Sequence, residues 1–325
     1  MASWSVAATA ALVLGVSTCV AGETIVRTNP VGVVSLRLPG SQTRALSIPL
    51  KASPVYTGSV TSFAANTITT AGASWQADEF GPFGENPCYV SVTSGPAAGH
   101  YFKVVSNTAN TVTIDAPADF AYSIAAGNTY EICYADTLEE LFGPSADDLV
   151  TDADPAKADN LVIREGTVWN TYYNDGEKWL KQGDSTTVQN AKTILPDEGV
   201  LFVRKSRKPV NLSITGDVPV NKLVTELPAN ATVFLANPFP ADVRLEDTGF
   251  QKDPSWITAL TADDADLVQI YSANKWKTYF HDGKRWRLST GRAVNPKIDK
   301  GTAVLVVRRN GGDVVHTQTP PYTGN

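Results

Sequence analysis

Two copies of one aromatic motif carry the side chains best suited to contact a ligand. The motif, Trp-x-Thr-Tyr-aromatic-x-Asp-Gly-x-x-Trp, spans residues 169–179 and 276–286. Trp and Tyr present large flat rings that carry a hydrogen-bonding group, and such rings beside polar groups suit the pyranose rings of sugars. The motif therefore makes six residues candidates for a sugar-stacking surface: Trp169, Tyr172, Trp179, Trp276, Tyr279 and Trp286.

The Asp-Gly pair in each motif favours the alternative that these aromatics pack in a core. Asp-Gly between aromatic runs predicts a two-residue hairpin turn, in which both central residues take positive φ. That turn would place Tyr172 opposite Trp179 and Tyr279 opposite Trp286. Such a pair contributes about 0.5–1.5 kcal/mol beyond its burial. We expect both hairpins to be structural first, with the leading Trp of each motif on the opposite face.

Opposite charges are segregated along the chain. Residues 136–160 hold eight acids and one Lys, residues 242–266 are also acid-rich, and residues 271–310 hold ten bases and two acids. If exposed, these segments give a dipolar surface that suits an anionic polysaccharide or the acidic face of a second copy. The alternative is that the charges neutralise each other within one molecule. The candidate assembly residues are Lys284, Arg285 and Arg287.

The acidic stretch also raises the question of a bound cation. Asp152 and Asp154 are two residues apart, as in a Ca²⁺ loop, but the Gly and the closing Glu of an EF-hand are missing. A solvated acidic face is the favoured interpretation and a Ca²⁺ site the weaker one. A metal site built on Cys88 and Cys133 lacks further ligands, because His100, His281 and His316 form no ligand-spaced cluster. No cofactor is predicted beyond the weaker Ca²⁺ interpretation.

Two cysteines remain once the N-terminal segment, which contains Cys19, is set aside as a leader. Cys88 and Cys133 both lie in strand-like segments. An even pair in an exported protein favours a disulfide, and two buried free thiols are the alternative. We expect a Cys88–Cys133 disulfide that ties the first strands of the surrounding module to its last.

Sequence signatures of the common catalytic sites are absent from the chain. It contains no Gly-x-Ser-x-Gly elbow, no His-Glu-x-x-His helix and no phosphate-binding Gly-Lys-Ser/Thr loop. A pair of carboxylates that cleaves glycosides is still possible, because spacing along the sequence does not give the separation of two carboxylates in space. The prediction is therefore a protein that is not an enzyme, with no catalytic residue assigned.

Composition excludes one class of partner. The 325 residues include 27 Lys and Arg against 33 Asp and Glu, a formal charge of −6. Nucleic-acid binders concentrate positive charge to displace counterions from phosphates, so no nucleic-acid partner is predicted. A hydrophobic content of 42% is typical of a globular protein, and the length suggests roughly two domains of about 150 residues.

The N-terminus has the pattern of a secretory leader. No charged residue precedes residue 23, and an apolar run over residues 6–16 leads to small residues that end in Ala21. This predicts a signal peptide over residues 1–21, although the usual basic start is missing. A buried Ala-rich helix is the alternative. No transmembrane segment is expected after removal of the signal, which places the mature chain outside the cell or in the cell envelope.

Self-comparison shows that one unit is used twice. Residues 30–50 align without gaps on residues 219–239, and the aromatic motifs align residues 169–179 on 276–286. The two alignments have different offsets, so the first copy carries an insertion. The predicted domains are a first repeat unit over 22–52 and 136–212, an inserted module over 53–135, and a second repeat unit over 213–325.

The inserted module has the pattern of short antiparallel strands. Residues 101–106 and 111–115 alternate with a period close to two. They are separated from their neighbours by Gly-, Pro- and Asn-rich turns. Five or six such strands predict a small antiparallel β-barrel or sandwich. The chain as a whole is predicted to be mainly β, with tandem duplicated β-rich units and this module inserted in the first copy.

Four short segments carry a family resemblance: Ile-Pro-Leu at 48–50, Ser-Asn-Thr-Ala-Asn-Thr at 106–111, Asn-Pro-Phe-Pro at 237–240 and Pro-Pro-Tyr at 320–322. They are turn and strand signals. Through them the chain resembles a family of uncharacterised secreted β-rich proteins known mainly from verrucomicrobial bacteria. The resemblance implies export and a β-rich architecture, and it carries over no activity and no catalytic residue.

Three functions follow from these observations. The leading one is a non-enzymatic secreted or cell-envelope protein with a structural or adhesive role, acting by surface association with itself or with a polysaccharide. The second is an extracellular carbohydrate-binding protein that uses the hairpin aromatics, and the third is a secreted hydrolase. Exposed aromatics in a cleft favour sugar binding, a shielded carboxylate pair favours hydrolysis, and opposed charged patches favour assembly.

Overall fold

Strands dominate the computed structural model, which describes residues 30–82, 87–146 and 148–322. The fold is 41% strand and 4% helix. The predicted mainly β chain with duplicated units and an inserted antiparallel module is thereby confirmed. The predicted signal peptide lies outside the described residues. Within the described part, every helix is too short and too polar to cross a bilayer.

The chain opens with two strands of the first unit and then enters the inserted module. Alternation in β1 buries Val34, Leu36 and Leu38 and exposes the residues between them, as a half-buried strand requires. The strands are β1 (Val31–Leu38), β2 (Thr43–Leu46), β3 (Tyr56–Ser59), β4 (Ser62–Ala64), β5 (Thr67–Thr69), β6 (Cys88–Val92), β7 (Tyr101–Asn107), β8 (Thr111–Ile114) and β9 (Thr129–Tyr134).

The inserted module is one antiparallel sheet of seven strands, in the order β3-β9-β6-β7-β8-β5-β4. The sheet curves into a half-barrel around its own apolar core, which includes Ile68, Val90 and Val104. The module therefore has a core separate from those of the two repeat units.

The first unit resumes after the module with a short helix. Thr137 caps it in a reciprocal capping box with Glu140, which satisfies backbone N–H groups at the helix start. The elements are β10 (Asp136–Thr137), α1 (Leu138–Phe142), β11 (Asn160–Glu165), β12 (Val168–Asn174), β13 (Trp179–Lys181), β14 (Thr193–Ile194), β15 (Val200–Val203) and β16 (Val210–Asp217).

The second unit repeats this order of elements without an insertion. Two 3-10 turns, Leu245–Thr248 and Phe250–Lys252, follow its third strand, and the first of them takes the place of α1. The strands are β17 (Leu223–Leu227), β18 (Thr232–Leu235), β19 (Val243–Arg244), β20 (Leu267–Ser272), β21 (Lys275–His281), β22 (Trp286–Leu288), β23 (Lys297–Ile298), β24 (Val304–Val307) and β25 (Val314–Gln318).

The two units have the same topology. The first contains a five-stranded sheet in the order β13-β12-β11-β15-β2, and the second a sheet in the order β22-β21-β20-β24-β18. Each unit adds two ribbons, β1-β16 and β10-β14 in the first, β17-β25 and β19-β23 in the second. Since β16 runs to Asp217 and pairs along its length with β1, the predicted boundary at 212/213 falls inside a strand of the first unit.

The two units meet through equivalent faces, as two copies of one protein do across a two-fold axis. The Ser47 N–H donates to the Gly301 carbonyl at 3.1 Å, and its counterpart, the Ala236 N–H, donates to the Asp197 carbonyl at 2.8 Å. At the centre, a Cβ added to Gly199 would lie 2.5 Å from the Cβ of Ala303. Glycine at position 199 therefore allows the two sheets to approach this closely.

Candidate functional site

Each aromatic hairpin closes through a four-residue turn. In the second unit the Asp282 side chain accepts from the N–H groups of Lys284 and Arg285, each at 2.8 Å. The Asp282 N–H donates to the Arg285 carbonyl at 3.0 Å. Among the turn residues only Gly283 has positive φ, at 90°, whereas the predicted two-residue turn needs two. Asp175 makes the same contacts with Glu177 and Lys178 in the first unit.

The register of both hairpins consequently differs from the prediction by two residues. Trp286 lies opposite His281, and Tyr279 lies opposite Leu288. In the first unit Trp179 lies opposite Asn174. The predicted Tyr172–Trp179 and Tyr279–Trp286 pairs are therefore wrong, because an Asp side chain that binds two backbone N–H groups favours the longer turn.

Burial separates the six motif aromatics into two groups. Trp179 and Trp286 are 0% exposed, and Tyr172 and Tyr279 belong to the apolar cores of their units. These four rings offer no face to a sugar. Trp169 is 39% exposed.

The first tryptophan of each motif lies where the two units meet. The Trp169 ring centroid is 5.5 Å from that of Phe234, and the Trp276 centroid is 6.1 Å from the same ring. Trp276 is partly buried. Of the predicted stacking residues, Trp169 therefore has the most accessible ring.

The predicted Cys88–Cys133 disulfide is wrong, since both cysteines are free and buried. In the antiparallel pair β6-β9, Cys88 lies opposite Tyr134 and Cys133 lies opposite Tyr89. Neighbouring residues of a strand point to opposite faces of the sheet, so the two thiols are separated by the sheet itself. Cys88 packs in the core of the module, and Cys133 packs on the other face beside Leu195. Burial raises the pKa of each thiol to about 12.

Some charges of the segregated stretches pair within one molecule. Lys297 binds Asp242 at 2.8 Å, and Arg308 binds Asp266 at 3.0 Å. Both pairs join the acid-rich stretch 242–266 to the basic stretch 271–310. Of the predicted assembly residues, Arg287 binds Asp282 in its own hairpin, whereas Lys284 and Arg285 are exposed at the hairpin tip. The accessible positive surface is therefore smaller than the count of bases suggests.

The predicted acidic face around Asp152 and Asp154 is organised by backbone contacts. The Asp152 carboxylate accepts from the Asp154 N–H at 2.8 Å, and the Asp154 carboxylate accepts from the Ala156 N–H at 2.9 Å. Such bonds hold the chain in a turn. Within the described ranges, no group of three or more His, Cys, Asp or Glu side chains is arranged to hold a metal ion.

A cleft of about 300 Å³ lies where the inserted module meets both repeat units. We call it the junction cleft. The module contributes β7 and Phe120, the first unit contributes the turn after β14, and the second unit contributes β17. Its lining side chains include His100, Tyr101, Phe120, Asp197, Thr225 and Glu226.

A hydrogen bond from a tyrosine to a carboxylate joins two walls of the junction cleft. The Tyr101 hydroxyl donates to Asp197 Oδ1 at 2.5 Å, which links the module to the first unit. Burial raises the pKa of the Asp197 carboxyl, and burial also raises the pKa of Tyr101 well above its ordinary value. The neighbouring Glu198 is shielded in the same way, since burial raises its pKa. The cleft therefore contains a carboxylate, Asp197, that is oriented by a hydrogen bond.

His100 forms part of an aromatic wall of the cleft. The side chain is 7% exposed, and its ring centroid lies 5.1 Å from Phe120 and 4.7 Å from Tyr122. Nδ1 lies 3.0 Å from the Ala97 carbonyl, which only accepts, so Nδ1 carries the proton. Burial lowers the pKa of His100, which favours the neutral ring. Nε2 is then an acceptor, and no described residue donates to it.

Comparison of the two repeat units shows that the polar groups of this cleft occur at only one of two equivalent contacts. Asp197 lies beside Thr225. At the equivalent contact Gly301 approaches Leu36, and a Cβ at Gly301 would lie 2.3 Å from a Leu36 methyl group. The sequence prediction missed His100, Tyr101, Asp197 and Thr225 as a site, because three separate segments supply them.

The comparisons with known proteins add no relative. The chain was compared with models of protein families, with curated proteins and with solved structures, and none of them matches it.

Proposed function

We propose that this protein is a non-enzymatic adhesive component of the cell envelope or extracellular space that binds a neutral polysaccharide in the junction cleft. The observation that carries the proposal is the combination of an aromatic wall with oriented hydrogen-bonding groups at the meeting point of three folded units. Concave sites with apolar walls and a few placed polar groups are the usual geometry of ligand sites. The predicted leader over residues 1–21 supports the location.

The chemistry of the cleft favours a hydroxylated ligand over a charged one. Asp197 is an acceptor for sugar hydroxyl groups, and the rings of His100 and Phe120 supply apolar faces. Asp115, Asp197 and Glu226 outnumber Lys103 among the lining residues. An anionic polysaccharide would be repelled by this excess of carboxylates, so the ligand class is a neutral glycan.

Asp197→Asn is expected to weaken neutral-glycan binding at least tenfold, which corresponds to about 1.4 kcal/mol. The amide keeps the size of the side chain and an oxygen for Tyr101, but it replaces a charged acceptor by a neutral one, and hydrogen bonds to charged groups are the stronger ones. The measurement is isothermal titration of the mature protein with cello- and manno-oligosaccharides, with alginate oligosaccharides as the anionic comparison.

Trp169→Ala is the matched variant, because it removes the exposed aromatic of the hairpin motif without touching the cleft. Unchanged binding in Trp169→Ala together with weakened binding in Asp197→Asn supports the cleft. The reverse pattern moves the site to the hairpin and overturns the proposal, as does the absence of binding to any of these glycans. If the oligosaccharides are shortened after incubation with the protein, the protein is a hydrolase and the non-enzymatic proposal is wrong.

Self-association is a second candidate, favoured by the exposed cations at one hairpin tip. Lys284 and Arg285 form no ion pair within the described part of the chain. The equivalent tip of the first unit carries Glu177 and Lys178, so the two tips differ in charge. A contact between the basic tip and the exposed acids near Asp154 would pair different surfaces of two copies, which builds rings or filaments.

Low salt is expected to give concentration-dependent oligomers that become smaller as salt rises, because exposed charges are screened beyond about 8 Å at physiological ionic strength. Light scattering across a salt series measures this. Changing Lys284 and Arg285 to Glu should suppress the oligomers, whereas Lys178→Glu at the other tip should leave them. A protein that stays monomeric at high concentration and low salt would contradict the self-association function.

A further inference from the structure

The second repeat unit contains a cavity of about 120 Å³ between its sheet and the β17-β25 ribbon. Apolar side chains make most of its wall, among them Leu235, Phe239, Phe250, Ile298 and Val304. Exposed Asp247 and Thr319 also line it and form its rim. An apolar cavity of comparable size, about 150 Å³, admits a benzene ring in another protein. We call this cavity the second-unit pocket.

Three polar side chains line the pocket where the first unit is apolar. His316, Gln318 and Asn237 are pocket residues. Their equivalents by alignment of the two units are Leu212, Ile214 and Ile48, which pack in or against the core of the first unit. At these three positions the first unit is therefore apolar and the second unit is polar, although both units have the same fold. Since the first copy shows that the fold does not need these polar groups, their presence calls for another reason.

His316 is the group that points to a ligand. It is 5% exposed, and its ring stacks on Phe250 with centroids 4.1 Å apart. Burial lowers the pKa of His316 to about 4, so the ring is neutral near pH 7. No described residue forms a hydrogen bond with the imidazole, and its nitrogens are not among the fully buried unpaired atoms, so they are open to the pocket. A bound ligand would supply a hydrogen-bond partner.

Gln318 and Asn237, the other two polar side chains at positions that are apolar in the first unit, are already engaged. The Gln318 side chain donates to the Ala236 carbonyl at 3.2 Å, and the Asn237 side chain donates to the Ala241 carbonyl at 2.9 Å. They therefore hold the shape of the wall. Of these three side chains the imidazole alone is left to bind a ligand, and a neutral imidazole accepts at one nitrogen and donates at the other.

We propose that the second-unit pocket binds a small neutral aromatic molecule that bears one hydroxyl group, of the phenol class. The ring fills the apolar cavity beside Phe250, and the hydroxyl hydrogen-bonds to His316. The Asp247 carboxylate at the rim disfavours an aromatic acid through repulsion between like charges. The site is separate from the junction cleft, so neither proposal depends on the other.

The test uses 4-fluorophenol, fluorobenzene and 4-fluorobenzoate as probes, followed by fluorine NMR with the intact mature protein. We expect saturable binding of 4-fluorophenol, with weaker binding of fluorobenzene and still weaker binding of 4-fluorobenzoate. His316→Leu, which installs the residue of the first unit, should weaken 4-fluorophenol at least tenfold while leaving fluorobenzene within threefold.

Two further variants keep the outcome interpretable. Thr248→Leu installs the first-unit residue Leu141 at the pocket wall and should exclude both fluorobenzene and 4-fluorophenol. Leu212→Met changes the position equivalent to His316 in the first unit and should alter neither. Thermal melting of each variant shows that it is folded. The proposal is overturned if 4-fluorophenol does not bind, or if it binds equally to the folded His316→Leu protein.

Discussion

Replacing Arg308 by Met is expected to lower the free energy of unfolding by about 3–5 kcal/mol, because it leaves the Asp266 carboxylate buried without its cation. Both side chains are 0% exposed, and Arg308 Nε donates to Asp266 Oδ2 at 3.0 Å. The guanidinium also donates to the carbonyls of Leu227, Ser255 and Gly312. Its removal therefore takes a donor from three backbone carbonyls as well as the counter-charge from Asp266.

The matched control is the exposed pair Lys297–Asp242, whose side chains are 52% and 43% exposed. Lys297→Met should change stability much less, because exposed ion pairs contribute little. Urea unfolding of the two variants at one pH makes the comparison. The double variant Arg308→Met with Asp266→Asn should recover part of the loss, since it removes the uncompensated charge. An Arg308→Met protein as stable as Lys297→Met would contradict this account.

Truncating the last tryptophan of either hairpin is the second large effect. Trp286→Ala and Trp179→Ala should each cost about 3–5 kcal/mol, because each deletes a fully buried aromatic and leaves a cavity. Trp169→Ala should cost clearly less, since this ring is 39% exposed. Chemical unfolding of the three variants measures the difference. Equal losses at Trp169 and Trp286 would show that burial is not what makes these residues matter.

Phenylalanine substitutions separate packing from hydrogen bonding in the same pair. The Trp179 indole N–H donates to the Gly143 carbonyl at 2.9 Å, whereas the Trp286 indole N–H has no partner among the described residues. Trp179→Phe should therefore cost more than Trp286→Phe by about 1 kcal/mol, the typical net contribution of a hydrogen bond. Equal losses would mean that ring size alone decides, and a larger loss in Trp286→Phe would contradict this account.

The same ion pair recurs in the first unit, which explains the repeated Asp and Arg. Arg204 binds Asp159 with both side chains buried. Asp159 accepts from the Val150 and Lys205 N–H groups, and Asp266 accepts from those of Ile257 and Arg309. Along the sequence, Asp159, Asp266 and Arg308 fall in the acid-rich and basic stretches, for which exposure and neutralisation within one molecule were both open. Sequence counting does not show burial, because the partner lies more than forty residues away in each unit.

Local sequence patterns predicted most of the architecture. Alternation of apolar residues and Gly-, Pro- and Asn-rich turns identified the strands, and self-similarity identified the two units and the insertion. These signals are local or repeated, so one sequence contains them fully. The predicted hairpin register was still wrong. The choice between a two-residue and a four-residue turn depends on whether the Asp282 side chain accepts from the N–H groups that follow Gly283.

By itself, the amino-acid sequence determined that this chain is mainly β, that one unit occurs twice and that a strand-rich module interrupts the first copy. Only the tertiary structure decided which face of a sheet each cysteine occupies, which tryptophans are buried and which charges pair. It also decided that His100, Asp197 and Thr225 share one cleft. The physical reason is that burial, pairing and shared faces arise from contacts between segments far apart in sequence, whose relative positions depend on strand order and register.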